Sequence, residues 1–461
     1  MKRLKKILYV FSLLILTGMF GSTSIETKAM TLSAETAIVM DVQSGVILYQ
    51  KDMDKREYPA SITKVMTAML AIENSSLDEV VTYSSEALQL ESGASNIGLV
   101  AGEKITMEES LYAILLMSAN EACNGVAEHI AGSTENFVKM MNERAKELGC
   151  TGTHFANTNG LWMKNHYTTA HDMALIARAA YKNPTFAKIT GTKRYHIPKT
   201  NKNKEGHYLY NHHQMLLPGT FPQYVYEYCV GGKTGYTVKC RYTLVTYAKK
   251  DNMTLVSVVM RADAPWEQNN EYSDSTKLLN YCFEKYKRVG IQDDATKEVN
   301  SQYLFTKFSP FYNASTSSLT IDEDAGVLLP KGVNLDQTEK KVEFYNQSTK
   351  VIDGKNVIGH ISYSYDGMEL GGSDIYYKNN TKNLLKDSID MSSWFTDAYA
   401  TANKKPIPWK KVALIAILVI MVGIAAFYII QRMYSEKEQR ARRNRYKKSR
   451  RNTRKMNRRR Y

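Results

Sequence analysis

Ser61 and Lys64 stand three residues apart at the start of an apolar run, in Pro59-Ala60-Ser61-Ile62-Thr63-Lys64. On a helix that spacing puts both side chains on one face. A serine hydroxyl is a weak nucleophile near neutral pH and needs a neighbouring base. A lysine amine can be that base only if its pKa, about 10.4 when unperturbed, is lowered. The positive end of a helix dipole and a second cation both push it down. By itself the pair also fits a capping serine and a solvated lysine. Two further motifs shift the balance. Ser118-Ala119-Asn120 follows an apolar helical run, and Lys233-Thr234-Gly235, preceded by Gly231-Gly232, lies in a strand-like stretch. Each of the three patterns occurs once in the chain.

Acyl transfer needs a nucleophile, a proton shuttle and donors for an oxyanion. In this assignment Ser61 attacks and Lys64 takes its proton. Ser118 relays that proton to a leaving amine. The Asn120 amide holds a peptide carbonyl or the Lys64 amine. Lys233 attracts a substrate carboxylate and lowers the Lys64 pKa, and Thr234 bonds the same carboxylate. Gly235 and the paired glycines let a substrate backbone lie close along the strand. The backbone N–H groups of Ser61 and Tyr236 form the oxyanion hole.

Elements of both periods must position these groups. Two β-rich runs flank Asp41-Val42-Gln43-Ser44-Gly45, the pattern of a hairpin. Residues from about 75 to 190 read as largely helical, with helices over Asn120–Ala131, Thr134–Leu148 and His171–Tyr181. Tyr228–Thr234, Tyr242–Lys249 and Thr254–Arg261 read as three antiparallel strands, and Ser275–Arg288 as a closing helix. The expected fold class is α+β: an antiparallel sheet covered by helices, with an all-helical lobe. A small all-β domain over 290–381 and a polar stalk over 382–411 follow.

The ends carry a different message. A basic start, an apolar run from Ile7 and small residues up to Ala29 have the layout of a secretory signal over 1–29. Residues 412–430 are uncharged and mostly apolar, long enough for a helix to span a bilayer. Beyond them, 431–461 hold fifteen Lys or Arg against two Glu, about +13 of the formal +15. The body, 30–289 and onward, is therefore near neutral. A basic tail beside a span stays in the cytoplasm, which places the body outside the membrane. The expected partner of the tail is the anionic headgroup layer rather than nucleic acid.

The chain has five cysteines, with no Cys-x-x-Cys and no His-Glu-x-x-His. No metal and no cofactor is expected. Cys229 and Cys240 flank the Lys233-Thr234-Gly235 strand and its turn, and read either as a bracing disulfide or as two core thiols.

The three motifs in this order, with Pro59–Glu73, Leu115–Gly160 and Gly231–Arg261 around them, resemble the low-molecular-weight penicillin-binding proteins, the serine D-Ala-D-Ala carboxypeptidases. The resemblance covers roughly residues 32 to 290. It implies a β-lactamase/transpeptidase-like fold and removal of the terminal D-alanine from peptidoglycan pentapeptide stems. It also implies stable acylation of Ser61 by β-lactam antibiotics. Many relatives carry an arginine between the last of these strands and the closing helix. Here Pro265 to Thr276 has none, and Arg261 lies upstream. A β-lactamase and a non-catalytic sensor of penicillin or muropeptide are the alternatives on the same motifs.

Overall fold

The computed structural model describes residues 30–219, 221–263, 269–300, 319–345, 350–352 and 355–377. The signal expected at 1–29 and the stalk, span and tail expected from 382 onward lie outside them. Among the described residues no helix is long and apolar enough to cross a membrane.

Alternation of small and branched apolar residues builds the central sheet. Its strands are β1 (Thr36–Asp41), β2 (Ile47–Lys51), β7 (Cys229–Thr237), β8 (Arg241–Lys250) and β9 (Met253–Ala262), in the order β2-β1-β9-β8-β7. β1 pairs antiparallel with β9, Thr36 against Met260, so the first strand sits inside the sheet. Successive side chains point to opposite faces. Ile38, Met40, Val256, Val258 and Met260 therefore enter one core, and Ala37, Val39, Leu255 and Val259 the other.

The first core is shared with the helical lobe. At its centre is α1 (Lys64–Asn74), which buries Val65, Met66, Ala68, Met69 and Leu70 and so has little polar face. Around it stand α2 (Met107–Leu116), α3 (Asn120–Ala131), α4 (Thr134–Glu147), α5 (Ala170–Tyr181) and α6 (Pro184–Thr190). A capping box between Thr106 and Glu109 starts α2, and Gly132, at φ +75°, stops α3 in the left-handed region that glycine tolerates. The second core is closed by α7 (Asn270–Lys285) through Leu278, Leu279 and Cys282.

Several elements differ from the sequence reading. Two small hairpins interrupt the helical lobe and its exit: β3 (Val80–Thr82) with β4 (Lys104–Thr106), and β5 (Arg194–Ile197) with β6 (His207–Tyr210). The closing helix starts at Asn270, because its polar first turn buries Glu271 and Asp274, and it ends at Lys285. Tyr286–Gly290 then forms β10, paired with β12 (Gly326–Pro330). A helix, α8 (Gln292–Asn300), opens the stretch expected to be all β. The described part after it is strand and turn: β11 (Leu319–Ile321), β13 (Glu339–Phe344), β14 (Lys350–Ile352), β15 (Lys355–Tyr365) and β16 (Met368–Tyr377), with a 3-10 turn at Leu335–Gln337. Among the described residues, one compact unit takes in 30–299, 319–343 and 359–377, so most of these strands share a unit with the catalytic region, and residues 300, 344–345, 350–352 and 355–358 fall in a second.

The bracing disulfide does not form: all five cysteines are free thiols. Cys229 opens β7, and Cys240 lies beyond its far end, past Thr237. Eight strand steps separate Cys229 from Thr237, about 26 Å at roughly 3.3 Å each, whereas bridged Cα atoms lie within about 7 Å.

Candidate active site

Four pieces of chain meet at the edge of the sheet. The first is a single 3-10 turn, Ala60–Thr63, that leads into α1 and carries Ser61. Ala60 is left-handed at φ +52°, a strained setting for a residue with a Cβ. Gly160 explains how the turn is held. At φ +87° it lies so close that a Cβ there would collide with the Ala60 carbonyl oxygen. The Thr243 hydroxyl also donates to the Pro59 carbonyl at 2.8 Å, which ties the turn to β8.

Lys64 is fully buried and makes three bonds from one ammonium head. Its Nζ donates to Ser61 Oγ at 2.9 Å, to Asn120 Oδ1 at 2.9 Å and to the Asn159 carbonyl at 2.6 Å. Burial pushes its pKa down to about 8. Uncharged, the same nitrogen can accept the Ser61 proton along the bond it already makes.

Asn120 opens α3, and its orientation follows from its partners. Nδ2 donates to the Ser95 carbonyl at 2.8 Å, which leaves Oδ1 for Lys64. Ser118, two residues earlier, is left-handed at φ +58° and nearly buried. Its Oγ accepts from Lys233 Nζ at 3.1 Å. Lys233 also donates to the Thr234 carbonyl at 2.8 Å. Burial lowers the Lys233 pKa well below that of a free lysine, and the Lys64 charge lowers it further. Two buried cations with few counter-charges repel, so a state in which only one of the two amines is charged is favoured.

β7 is an edge strand, and it passes directly beside Ser61. A Cβ on Gly235 would stand 2.9 Å from the Ser61 backbone nitrogen. Glycine is therefore required for the strand to approach Ser61. Lys233 and Gly235 are buried, Thr234 is half-buried, and Tyr236 is 54 % exposed with its ring tilted against Tyr242. Ser61, Lys64 and Asn120 are thus in direct contact, as are Ser118 and Lys233. Gly235 is held against Ser61, and Thr234 and Tyr236 are placed beside it by the strand.

Some contributors carry no side-chain signature in the sequence. The Asn159 and Ser95 carbonyls act through the backbone. His166 supports the turn from behind. Its Nδ1 accepts from Ala156 N at 3.0 Å, so its Nε2–H donates to Thr63 Oγ1 at 2.8 Å. That neutral tautomer agrees with burial holding its pKa down at about 3. Arg261 does not serve the site. Its Nε donates to Glu35 at 2.6 Å, and Nη1 lies 3.8 Å from Glu57. Among the described residues no group of His, Cys, Asp and Glu could hold a metal ion.

A half-buried serine bonded to a buried lysine beside a glycine-lined sheet edge is the arrangement of a serine-type hydrolase. Comparison with known proteins narrows the class. The family model for D-alanyl-D-alanine carboxypeptidase matches residues 23–264. D-alanyl-D-alanine carboxypeptidase DacF of Bacillus subtilis is 31% identical, over 77% of this chain and 88% of its own. The DacA enzyme of Haemophilus influenzae is 28% identical, over 82% and 94% respectively. The crystal structure of the carboxypeptidase DacD from Francisella tularensis superposes with a TM-score of 0.54 at 26% identity, covering 76% of this chain and 94% of that one. The chain belongs to the D-alanyl-D-alanine carboxypeptidase family and is a serine-type carboxypeptidase.

Proposed function

We propose that this protein removes the terminal D-alanine of peptidoglycan pentapeptide stems through an acyl-enzyme on Ser61. The observation that carries the reading is Lys64 Nζ, buried, depressed in pKa and 2.9 Å from Ser61 Oγ. Ser61 Oγ attacks the penultimate D-alanine carbonyl and its proton passes to Lys64 Nζ. The Ser61 and Tyr236 N–H groups receive the oxyanion. As the tetrahedral adduct collapses, the C–N bond breaks and the departing amine takes a proton through Ser118. Water then attacks the ester, releasing the shortened stem and restoring Ser61. Lys233 and Thr234 receive the substrate carboxylate. A β-lactam acylates the same oxygen, but its leaving nitrogen stays tethered, which slows hydrolysis.

The reading includes a place in the cell. Residues 412–430 anchor the protein as a single span, the catalytic region lies outside the membrane, and the basic tail at 431–461 rests near anionic headgroups inside. The functional test uses the ectodomain, residues 30 to 400, and a Ser61→Ala partner, with a peptide ending in D-Ala-D-Ala. D-Alanine release that needs Ser61 and stops with penicillin supports the proposal. Covalent labelling without release points to the sensor, and rapid penicillin turnover to the β-lactamase. Neither labelling nor release refutes the site assignment.

A further inference from the structure

Glu121 follows Asn120 directly and is 1 % exposed, yet no step of the proposed chemistry uses it. A carboxylate taken out of water needs a compensating role. Burial raises its pKa above the ordinary carboxylate value, while the backbone N–H groups of Ile97, Leu99 and Gly98 pull it part of the way back. Its Oε1 accepts from the Ile97 N–H at 2.7 Å. Oε2 is buried without a hydrogen-bond partner. The side chain therefore reaches back across α3 to hold the loop after Ser95.

That loop bears on the site through one atom. The Ser95 carbonyl accepts both the backbone N–H of Asn120, at 2.9 Å, and its Nδ2, at 2.8 Å. This double bond to one acceptor decides which end of the Asn120 amide faces Lys64. The chain of contacts is thus Glu121, Ile97, Ser95, Asn120 and Lys64. The loop is held from its other side as well. His207 Nδ1 meets the Ile97 carbonyl at 3.0 Å, while its Nε2 meets Glu103 at 2.9 Å.

We infer that Glu121 is a positioning residue for acylation: it locks the loop from Ser95 to Leu99, so that the Asn120 amide presents its oxygen to Lys64. This inference rests on the proposed roles of Ser61 and Lys64. Glutamine is the informative replacement. It keeps one acceptor for Ile97 but turns N–H donors toward amides that are themselves donors.

The test is a double-mutant cycle on the second-order rate of acylation by a fluorescent penicillin, with Glu121→Gln, Glu121→Ala, Asn120→Ala and the combined proteins. We expect Glu121→Gln to slow acylation about tenfold, a typical cost of one misplaced hydrogen bond, with a melting temperature close to wild type. On the Asn120→Ala background the same change should cost nothing more. A purely structural Glu121 would give losses that add. A Glu121→Gln protein acylated as fast as wild type, or one whose loss persists without Asn120, overturns the inference. A wild-type protein that penicillin does not label would sink the functional reading instead. Amide exchange at Asn120 then still decides the inference, because Glu121→Gln must speed it if Glu121 holds Ser95 in place.

Discussion

If Lys64 is the base, the rate of Ser61 acylation must follow its protonation. Its ordinary pKa is 10.5, and burial brings it to about 8. At pH 7 a group titrating at 8 is about one-tenth neutral, while one at 10.5 would be neutral about once in 3,000 molecules. Burial therefore supplies on the order of 100- to 1,000-fold more active base, roughly 3 to 4 kcal/mol. The sign is fixed by which form works. The neutral amine accepts the proton, so acylation should rise about tenfold per pH unit below 8 and level off above it. Folding pays for this arrangement in stability below pH 8, since the unfolded chain binds the proton more tightly; the penalty fades as pH rises toward 10.5. The assay is the second-order rate of penicillin labelling from pH 5.5 to 9.5. Lys64→Arg keeps a cation that cannot give up its proton, and should lower the rate about 100- to 10,000-fold. A flat rate between pH 6 and 8, or one still climbing at 9.5, would refute the reasoning.

Three more outcomes follow from features of the same region. Gly160→Ala places a methyl group against the Ala60 carbonyl at a left-handed position, so it should lower the melting temperature by several degrees and reduce penicillin labelling. His166 stays neutral in the folded protein to about pH 3 but titrates near 6.5 when unfolded, so acidification across that window should cost on the order of 5 kcal/mol. In urea titrations His166→Gln should flatten that part of the pH dependence. With no disulfide to lose, the ectodomain should melt at the same temperature with and without dithiothreitol.

The sequence carried what side chains declare. Ser61, Lys64, Ser118, Asn120 and Lys233 have distinctive types at distinctive spacings, and the alternation in β1, β8 and β9 marks a two-faced sheet. It was silent where the backbone acts. The Asn159 and Ser95 carbonyls could belong to any residue type, and a left-handed Ala60 breaks the usual preference for glycine because the packing of Gly160 and Thr243 overrides it. Hydropathy misplaced the start of α7, since Glu271 and Asp274 look like solvent-facing residues but are buried. The cysteine pair left a disulfide and two thiols open, and the structure selects the thiols, because closeness in sequence along an extended strand means distance in space. Glu121 passed unremarked because an acidic residue in the first turn of a helix is ordinary; only the loop that it grips sets it apart.

The pairing of β1 with β9 also has a temporal meaning. Thr36 meets Met260 across a sequence gap of more than 200 residues, with the helical lobe between them. Closing so large a loop is slow and costs chain entropy before any contact returns it. β1 comes early in the chain and has no partner in the sheet except β2 until Met253–Ala262 is present. The sheet, and with it the strand that brings Gly235 to Ser61, therefore assembles late, when nearly the whole catalytic region exists. Ser61 therefore gains its full surroundings only once this late strand is in place.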